Sequence, residues 1–342
     1  MVSLVVTNGD ILSRPCDLLI LKHADGFYGV DQIVSDKIGF TGHIAEGEHS
    51  FLQGRNVEAR KVLFIGVGPL GNFRYEQIRS FARSALEIAG RGRGTIARIC
   101  TPVHGPGYGL DEREAFLSLI GGFLDAIEEG VQPHELERIE IVELSEKRAA
   151  RLAKILNSFI PSGQRAPQRT MRREAQDASA RAMMDLQFRG GAHEELATFG
   201  AASEQKPKVF VAMPFKADFS DEWEIAIQEA AETAGIICER IDKQAYVGDI
   251  LIQIKNRISE YDGVLALLNE NNPNVFLEIG YAWAKDKPTV LMIRQGSALP
   301  FDIQGQKCLI YSSIADLRKQ LRDELVGLKK LGTFSGSKRR SS

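Results

Sequence analysis

Long apolar runs are missing from this 342-residue chain, and no stretch approaches the ~20 uninterrupted apolar residues that span a bilayer. Cysteine is scarce. Cys16, Cys100, Cys238 and Cys308 lie far apart and form no CxxC pair or Cys/His cluster, which argues against a disulfide framework and a zinc module. Charge of one sign is also lacking: 43 basic residues face 45 acidic ones, giving no whole-chain attraction to nucleic acid or an anionic membrane. The first ten residues, Met1 to Asp10, lack the basic region and apolar core of a secretory signal. The expectation is a cytoplasmic protein with reduced thiols, no metal, and neither a membrane nor a nucleic acid as partner.

The chain does hold alternating strand and helix signals, in two sets. The first set has strands at Leu4-Val5-Val6, Leu18–Leu21, Val62–Val67, Arg98–Thr101 and Arg138–Glu143. Their continuous apolar character suits strands covered on both faces. Helical patterns run from Tyr75 to Ala89, Asp111 to Glu129 and Glu146 to Phe159. The Gly-studded Gly39–Glu48 segment is read as a loop across the sheet. This alternation predicts an α/β sandwich over residues 1–160. Two of its loops follow a strand and open onto a helix, one with Gly66, Gly68 and Gly71 and one with Gly105, Gly107 and Gly109. Such loops either present N–H groups to a phosphate or simply turn tightly. Neither is a GxGxxG fingerprint. His104, beside the second loop, is read as structural or solvent-facing.

Residues 161–205 read as a basic linker carrying a helix from Arg172 to about Phe188, without the interleaved aromatics that stack on bases. Residues 206–330 hold the second set. Strands fall at Lys208–Phe215, Ile236–Arg240, Asp262–Leu268, Thr289–Ile293 and Lys307–Tyr311. Helices fall at about Asp221–Ala234, Gly248–Tyr261, Asn274–Ala282 and Ile314–Leu328. This order predicts a doubly wound parallel sheet of flavodoxin or Rossmann type, whose ligands bind beyond the carboxyl ends of the strands. Residues 331–342 are read as a disordered tail.

One acid stands out. Glu278 lies inside the apolar run Val275-Phe276-Leu277-Glu278-Ile279-Gly280-Tyr281-Ala282. A helix dipole contributes only about 0.3–1 kcal/mol to such a carboxylate, too little to offset burial without partners. Glu278 therefore either faces a polar pocket or belongs to a structural network. The carboxyl-edge rule gathers Met213, Pro214 and Phe215 from the first strand, Arg240 and Asp242 from the second, and Asn269, Asn272 and Asn274 before Glu278. Phe301 and Asp302 join them from the loop after strand four. A carboxylate among amides suits an oxocarbenium-like transition state, as when an N-glycosidic bond breaks.

Val209–Phe215, Asp262–Leu268, and Asn274–Ala282 with Lys287-Pro288 resemble the nucleoside 2-deoxyribosyltransferase-like superfamily, which includes nucleotide N-glycosidases and TIR-like proteins of antiphage defence. The resemblance covers Lys206 to Leu328. It implies that Glu278 is the nucleophile, with Asn272 at the position of a hydrogen-bonding Asp or Ser. It also implies a base-assisting Asp at a position occupied here by Ile254. That departure leaves the general acid unassigned and favours a leaving group already cationic, such as the nicotinamide of NAD. Cys16–Ile20 and Arg60–Gly68, with the helix that follows, resemble the macro-like N-terminal domain of leucine aminopeptidases. No metal-binding peptidase segment follows, so peptidase activity is not implied.

Taken together, the resemblances imply an N-glycoside hydrolase of NAD or a related nucleotide, a homo-oligomer without a cofactor, regulated through a macro-like domain in antiphage defence. Two alternatives stand beside it. One is a non-catalytic nucleotide-binding signalling or scaffold protein; the other is a deoxyribosyltransferase or nucleoside monophosphate N-glycosidase.

Overall fold

The computed structural model describes residues 2–92, 94–160, 192–214, 216–241, 250–298, 303 and 305–334. They divide into two compact α/β units, the first of residues 1–107 and 112–203 and the second of residues 108–111 and 204–342.

Among these residues the first unit has a six-stranded sheet in the order β1-β6-β5-β2-β4-β3. Its strands are β1 (Ser3–Asn8), β2 (Cys16–His23), β3 (His49–Gln53), β4 (Ala59–Gly66), β5 (Arg98–Thr101) and β6 (Arg138–Glu143). All pairings are parallel except β3 with β4, so β3 is an antiparallel edge. Helices α1 (Val30–Ile38), α2 (Tyr75–Arg91), α3 (Glu112–Glu129), α4 (Glu146–Phe159) and α5 (Ala192–Thr198) accompany the sheet. The strands Leu18–Leu21 and Val62–Phe64 are wholly buried, as their unbroken apolar runs require.

The structure adds two elements to the sequence reading. The short edge β3 alternates between exposed and half-buried residues over His49-Ser50-Phe51-Leu52-Gln53, too polar a pattern to stand out. Helix α1 is short and carries only Val34 as a buried apolar side chain. Between α2 and α3 the packing is close because Gly121 and Gly122 offer no side chain; a Cβ on Gly122 would overlap the carbonyl oxygen of Arg79. The Arg79 guanidinium forms a two-bond pair with Asp125 and also donates to the carbonyls of Leu196 and Phe199, fastening the carboxyl-terminal end of α5.

In the second unit five parallel strands run β8-β7-β9-β10-β11, the doubly wound order. They are β7 (Lys208–Ala212), β8 (Ile237–Glu239), β9 (Gly263–Leu267), β10 (Thr289–Arg294) and β11 (Cys308–Tyr311). Alternation along β7 and β9 explains the layers. Val209, Val211, Leu265 and Leu267 pack with Trp223, Ala226, Ala230 and Leu321. Phe210, Ala212, Val264 and Ala266 pack with Ile254, Ile258, Val275 and Ile279. One face is thus covered by a π-helical turn (Glu222–Ile227), α6 (Gln228–Ala234) and α9 (Ile314–Lys330), the other by α7 (Ile250–Glu260) and α8 (Pro273–Ala284).

Two expectations shift. The helix read as continuous from Asp221 begins as a π-helical turn, in which the N–H of Gln228 reaches the carbonyl of Trp223. The tail does not start at residue 331, because Phe334 is buried in the core, where its ring lies against Gly263. Burying a phenylalanine contributes about 1.5–3 kcal/mol, enough to hold these few residues to the unit.

Candidate functional site

Helix α8 starts at the carboxyl end of β9. Asn272 caps it, its side-chain oxygen accepting the N–H of Asn274 at 2.9 Å, and Pro273 occupies the first helical position, where a missing N–H costs nothing. Glu278 follows on the second turn and is only 8% exposed. With Asn274 four residues before it and Tyr281 three after, it shares one face of the helix. That face borders a cavity of about 50 Å³ whose opposite wall is Leu251, Ile254, Lys255 and Ile258 of α7. Helix α7 leads into β9 and so begins at the carboxyl edge of the sheet as well. The chain leaves adjacent strands β7 and β9 toward opposite faces, which makes their carboxyl ends the topological switch point. Leu251 and Leu277 in its walls stay about half exposed, so the cavity opens to solvent.

The other expected residues fall into separate groups. Met213 and Arg240 meet: an Arg240 Nη1 lies 3.6 Å from the Met213 sulfur, and its guanidinium sits 4.6 Å over the Trp223 ring. Pro214 is buried beside them in sequence. Asn269 is committed elsewhere, donating to Tyr311 Oη at 2.6 Å and accepting the Arg294 N–H at 2.9 Å. Phe215, Asp242, Phe301 and Asp302 lie outside the described residues, as does the linker helix expected at 172–188. Asp262 pairs through its backbone N–H and its carboxylate with Lys208, a brace at the amino end of the sheet.

Sequence reasoning missed Glu222. It is 1% exposed, and its Oε1 accepts from Arg294 Nη2 at 2.6 Å and from Tyr311 Oη at 3.1 Å. Its Oε2 is buried without a hydrogen-bond partner. Burial above all, with the Glu222 charge adding to it, pushes the Tyr311 phenol up to about 12 against the pull of Asn269 and Arg294. An acid heading the helix after the first strand was the available signal. Glu222, Asn269, Arg294 and Tyr311 tie together the carboxyl ends of β9, β10 and β11.

The glycines of the two expected loops differ in the room around them. Gly66 exchanges backbone hydrogen bonds with Gly47 and Glu48, and a Cβ there would overlap the Ala45 carbonyl. Gly68, at φ +69°, faces the Glu46 carboxylate, a poor neighbour for phosphate. Gly71 and Gly107 have open space around them. Gly105 is buried at φ +119°. Gly109, at φ +98° in the strip counted with the second unit, packs so that a Cβ would lie 2.6 Å from the Arg240 carbonyl oxygen. His104 is buried rather than solvent-facing, with its ring 5.1 Å from Phe81. It stands 3.9 Å from Asp31, which is paired with Lys22 at 2.5 Å. Burial raises the Asp31 carboxyl against the pull of Lys22, and burial holds His104 well below its usual value.

A groove of about 1010 Å³ opens at the amino-terminal edge of the first sheet between Arg60, Arg98 and Arg138, and no candidate residue borders it. Among the described residues no group of His, Cys, Asp and Glu is arranged to hold a metal ion. None of the described helices is long and apolar enough to cross a membrane.

No family model and no curated protein matches the chain. Among solved structures it is similar to a macrodomain of Oceanobacillus iheyensis with ADP, at 17% identity over 44% of this chain and 88% of that one, with a TM-score of 0.35. It is also similar to the Trypanosoma brucei macrodomain in complex with ADP-ribose, at 22% identity, 45% and 68% coverage and a TM-score of 0.37. A third is a CMP N-glycosidase of Clostridium botulinum, at 22% identity, 34% and 98% coverage and a TM-score of 0.29. At these identities and scores they are distant likenesses, which say nothing of this chain's own chemistry.

Proposed function

We propose that the second unit hydrolyses the N-glycosidic bond of a nucleotide, NAD or a relative, with Glu278 as nucleophile or electrostatic stabiliser. One observation carries this reading: a nearly buried carboxylate borders an apolar cavity at the carboxyl edge of a doubly wound sheet, where ligands of such folds bind. As the bond to the base stretches, positive charge spreads over the sugar C1′ and ring oxygen. A fixed carboxylate beside them stabilises that charge or captures C1′ covalently, and water then releases the sugar. The first unit would sense a nucleotide signal, the chain would work as an oligomer, and depletion of the substrate would serve antiphage defence. Purified protein is to be incubated with NAD and with nucleoside monophosphates, and released base followed by chromatography. Release that is abolished in Glu278→Gln supports the reading; release unchanged in that variant ends it.

A second reading, nucleotide binding without turnover, is favoured by a specific observation. Asn269 and Asn272 are already engaged in hydrogen bonds within the fold, and Arg240 is stacked on Trp223. Nucleotide binding that persists in Glu278→Gln, with no product from the parent protein, would select it. Base exchange between deoxynucleosides is disfavoured because apolar Ile254 stands in the cavity wall where an acid would assist the base.

A further inference from the structure

We infer that Tyr108–Asp111, a strip of second-unit chain flanked on both sides by first-unit residues, docks on β8 to hold α7 and with it one wall of the Glu278 cavity. The inference concerns regulation of the site proposed above and rests on that reading, but its structural readouts do not depend on turnover.

The strip is a detour of the chain, which belongs to the first unit up to Gly107 and again from Glu112. Both of its flanks are fixed. His104 and Gly105 are buried on one side, and on the other the Glu112 carboxylate accepts Arg148 Nε at 2.6 Å and Arg151 Nε at 2.8 Å. Tyr108, Gly109, Leu110 and Asp111 are all buried. Gly109, at φ +98°, lies where a Cβ would be 2.6 Å from the carbonyl oxygen of Arg240, just past β8. The Asp111 carboxylate accepts the Cys238 thiol of β8 at 3.8 Å. Arg257 Nη2 of α7 reaches the Tyr108 carbonyl at 3.5 Å. The same guanidinium binds the Glu239 carboxylate and donates to Tyr261 Oη at 2.6 Å. Arg257 thus ties the strip to α7, whose Leu251, Ile254 and Ile258 line the cavity beside Glu278.

Cys238 reports on the docked state. It has no exposed surface, and burial above all, with Asp111 and Glu239 adding to it, holds its thiol well above the usual value. Lifting the strip uncovers the sulfur and takes away the Asp111 charge, so the reactive thiolate forms more readily. The loop also supplies its own control. Position 109 requires glycine because of its positive φ and the close carbonyl, whereas Gly107 has open space around it. An alanine at 109 therefore disturbs docking, and an alanine at 107 does not. A strip that merely covered β8 would leave α7 unaffected when it lifts, and the test separates that case.

The test uses the full chain with Cys308→Ser, since Cys308 is the one cysteine that is not buried. This parent, Gly107→Ala and Gly109→Ala are labelled with a maleimide, the adducts are assigned by peptide mass mapping, and amide hydrogen exchange is followed over Ile250–Glu260. In Gly109→Ala, labelling of Cys238 is expected to rise about tenfold and exchange in α7 to rise with it, while Gly107→Ala behaves as the parent. Asp111→Ala, read by exchange in α7, serves with the same expected direction if Gly109→Ala does not fold. Unchanged labelling of Cys238, or faster labelling with α7 exchange left at the parent value, overturns the inference. Hydrolysis of nucleoside monophosphates forms a separate arm. A rate loss in Gly109→Ala but not in Gly107→Ala supports regulation of the site, and an undiminished rate beside a loosened α7 overturns it. Absence of Glu278-dependent release from the parent removes the hydrolase reading, and the thiol and exchange results then decide the docking alone.

Discussion

Ile254 on α7 and Glu278 on α8 border the same cavity, one from each wall. An aliphatic side chain thus faces the Glu278 carboxylate across it.

Glu278→Gln keeps the shape of the side chain and removes its charge. Base release is expected to fall about 10²–10³-fold, the usual loss when one charge-stabilising group is removed. A steady-state assay on the folded variant checks this.

Asn272 caps α8 and stands six residues before Glu278. Asn272→Ala is expected to lower stability by about 1 kcal/mol, and Asn272→Asp to restore it, since Asp caps equally well. Denaturant titration measures this. A rate loss in Asn272→Asp without a stability loss would show a further role at the substrate.

Introducing the acid that the cavity lacks tests how apolar it is. Ile254 is 5% exposed, so Ile254→Asp exchanges buried methyl groups for a carboxylate facing Glu278's cavity, at a cost of about 2–5 kcal/mol. Burial and the like charge raise one of the two folded-state pKa values above its unfolded value. The folded state then holds a proton that the unfolded state has lost, so the defect deepens as pH rises from 4 to 7. Melting curves across that range read the slope.

Gly122→Ala places a methyl group on the carbonyl of Arg79 and the Cβ of Ala82. Helices α2 and α3 must separate, which is expected to cost about 1–3 kcal/mol. A mutation in the first unit that changed nothing in the melting temperature would contradict this packing.

His104 supplies a pH dependence. Its folded pKa is held below the usual value by burial, so as pH falls below about 6.5 the unfolded chain gains a proton first. Stability is therefore lost on acidification. His23, also lowered by burial, acts in the same direction, whereas the raised Asp31 acts oppositely and gains stability as pH falls. In His104→Asn the slope of stability against pH between 5 and 6.5 should flatten, by at most one proton, about 1.4 kcal/mol per pH unit. Chemical denaturation at closely spaced pH values measures it.

The alternating runs of apolar residues determined most of the secondary structure by themselves, because a strand covered on both faces must be apolar throughout. Lys208–Ala212 and Gly263–Leu267 are such strands, and α4 spans the same Glu146–Phe159 range that its helical spacing predicts. The polar edge strand β3 and the short α1 escaped because too few of their side chains are both apolar and buried to mark a face. Glu278 was legible as an acid in an apolar helix. What faces it was not, since α7 and α8 are separated by a strand and meet only once both pack on the same face of the sheet. The same is true of Glu222, Arg294 and Tyr311, which come from three distant segments joined at the carboxyl edge. Periodicity is a local property and survives in the sequence. The choice of which side chains share a cavity is made by strand order and crossover, and only the tertiary structure carries it.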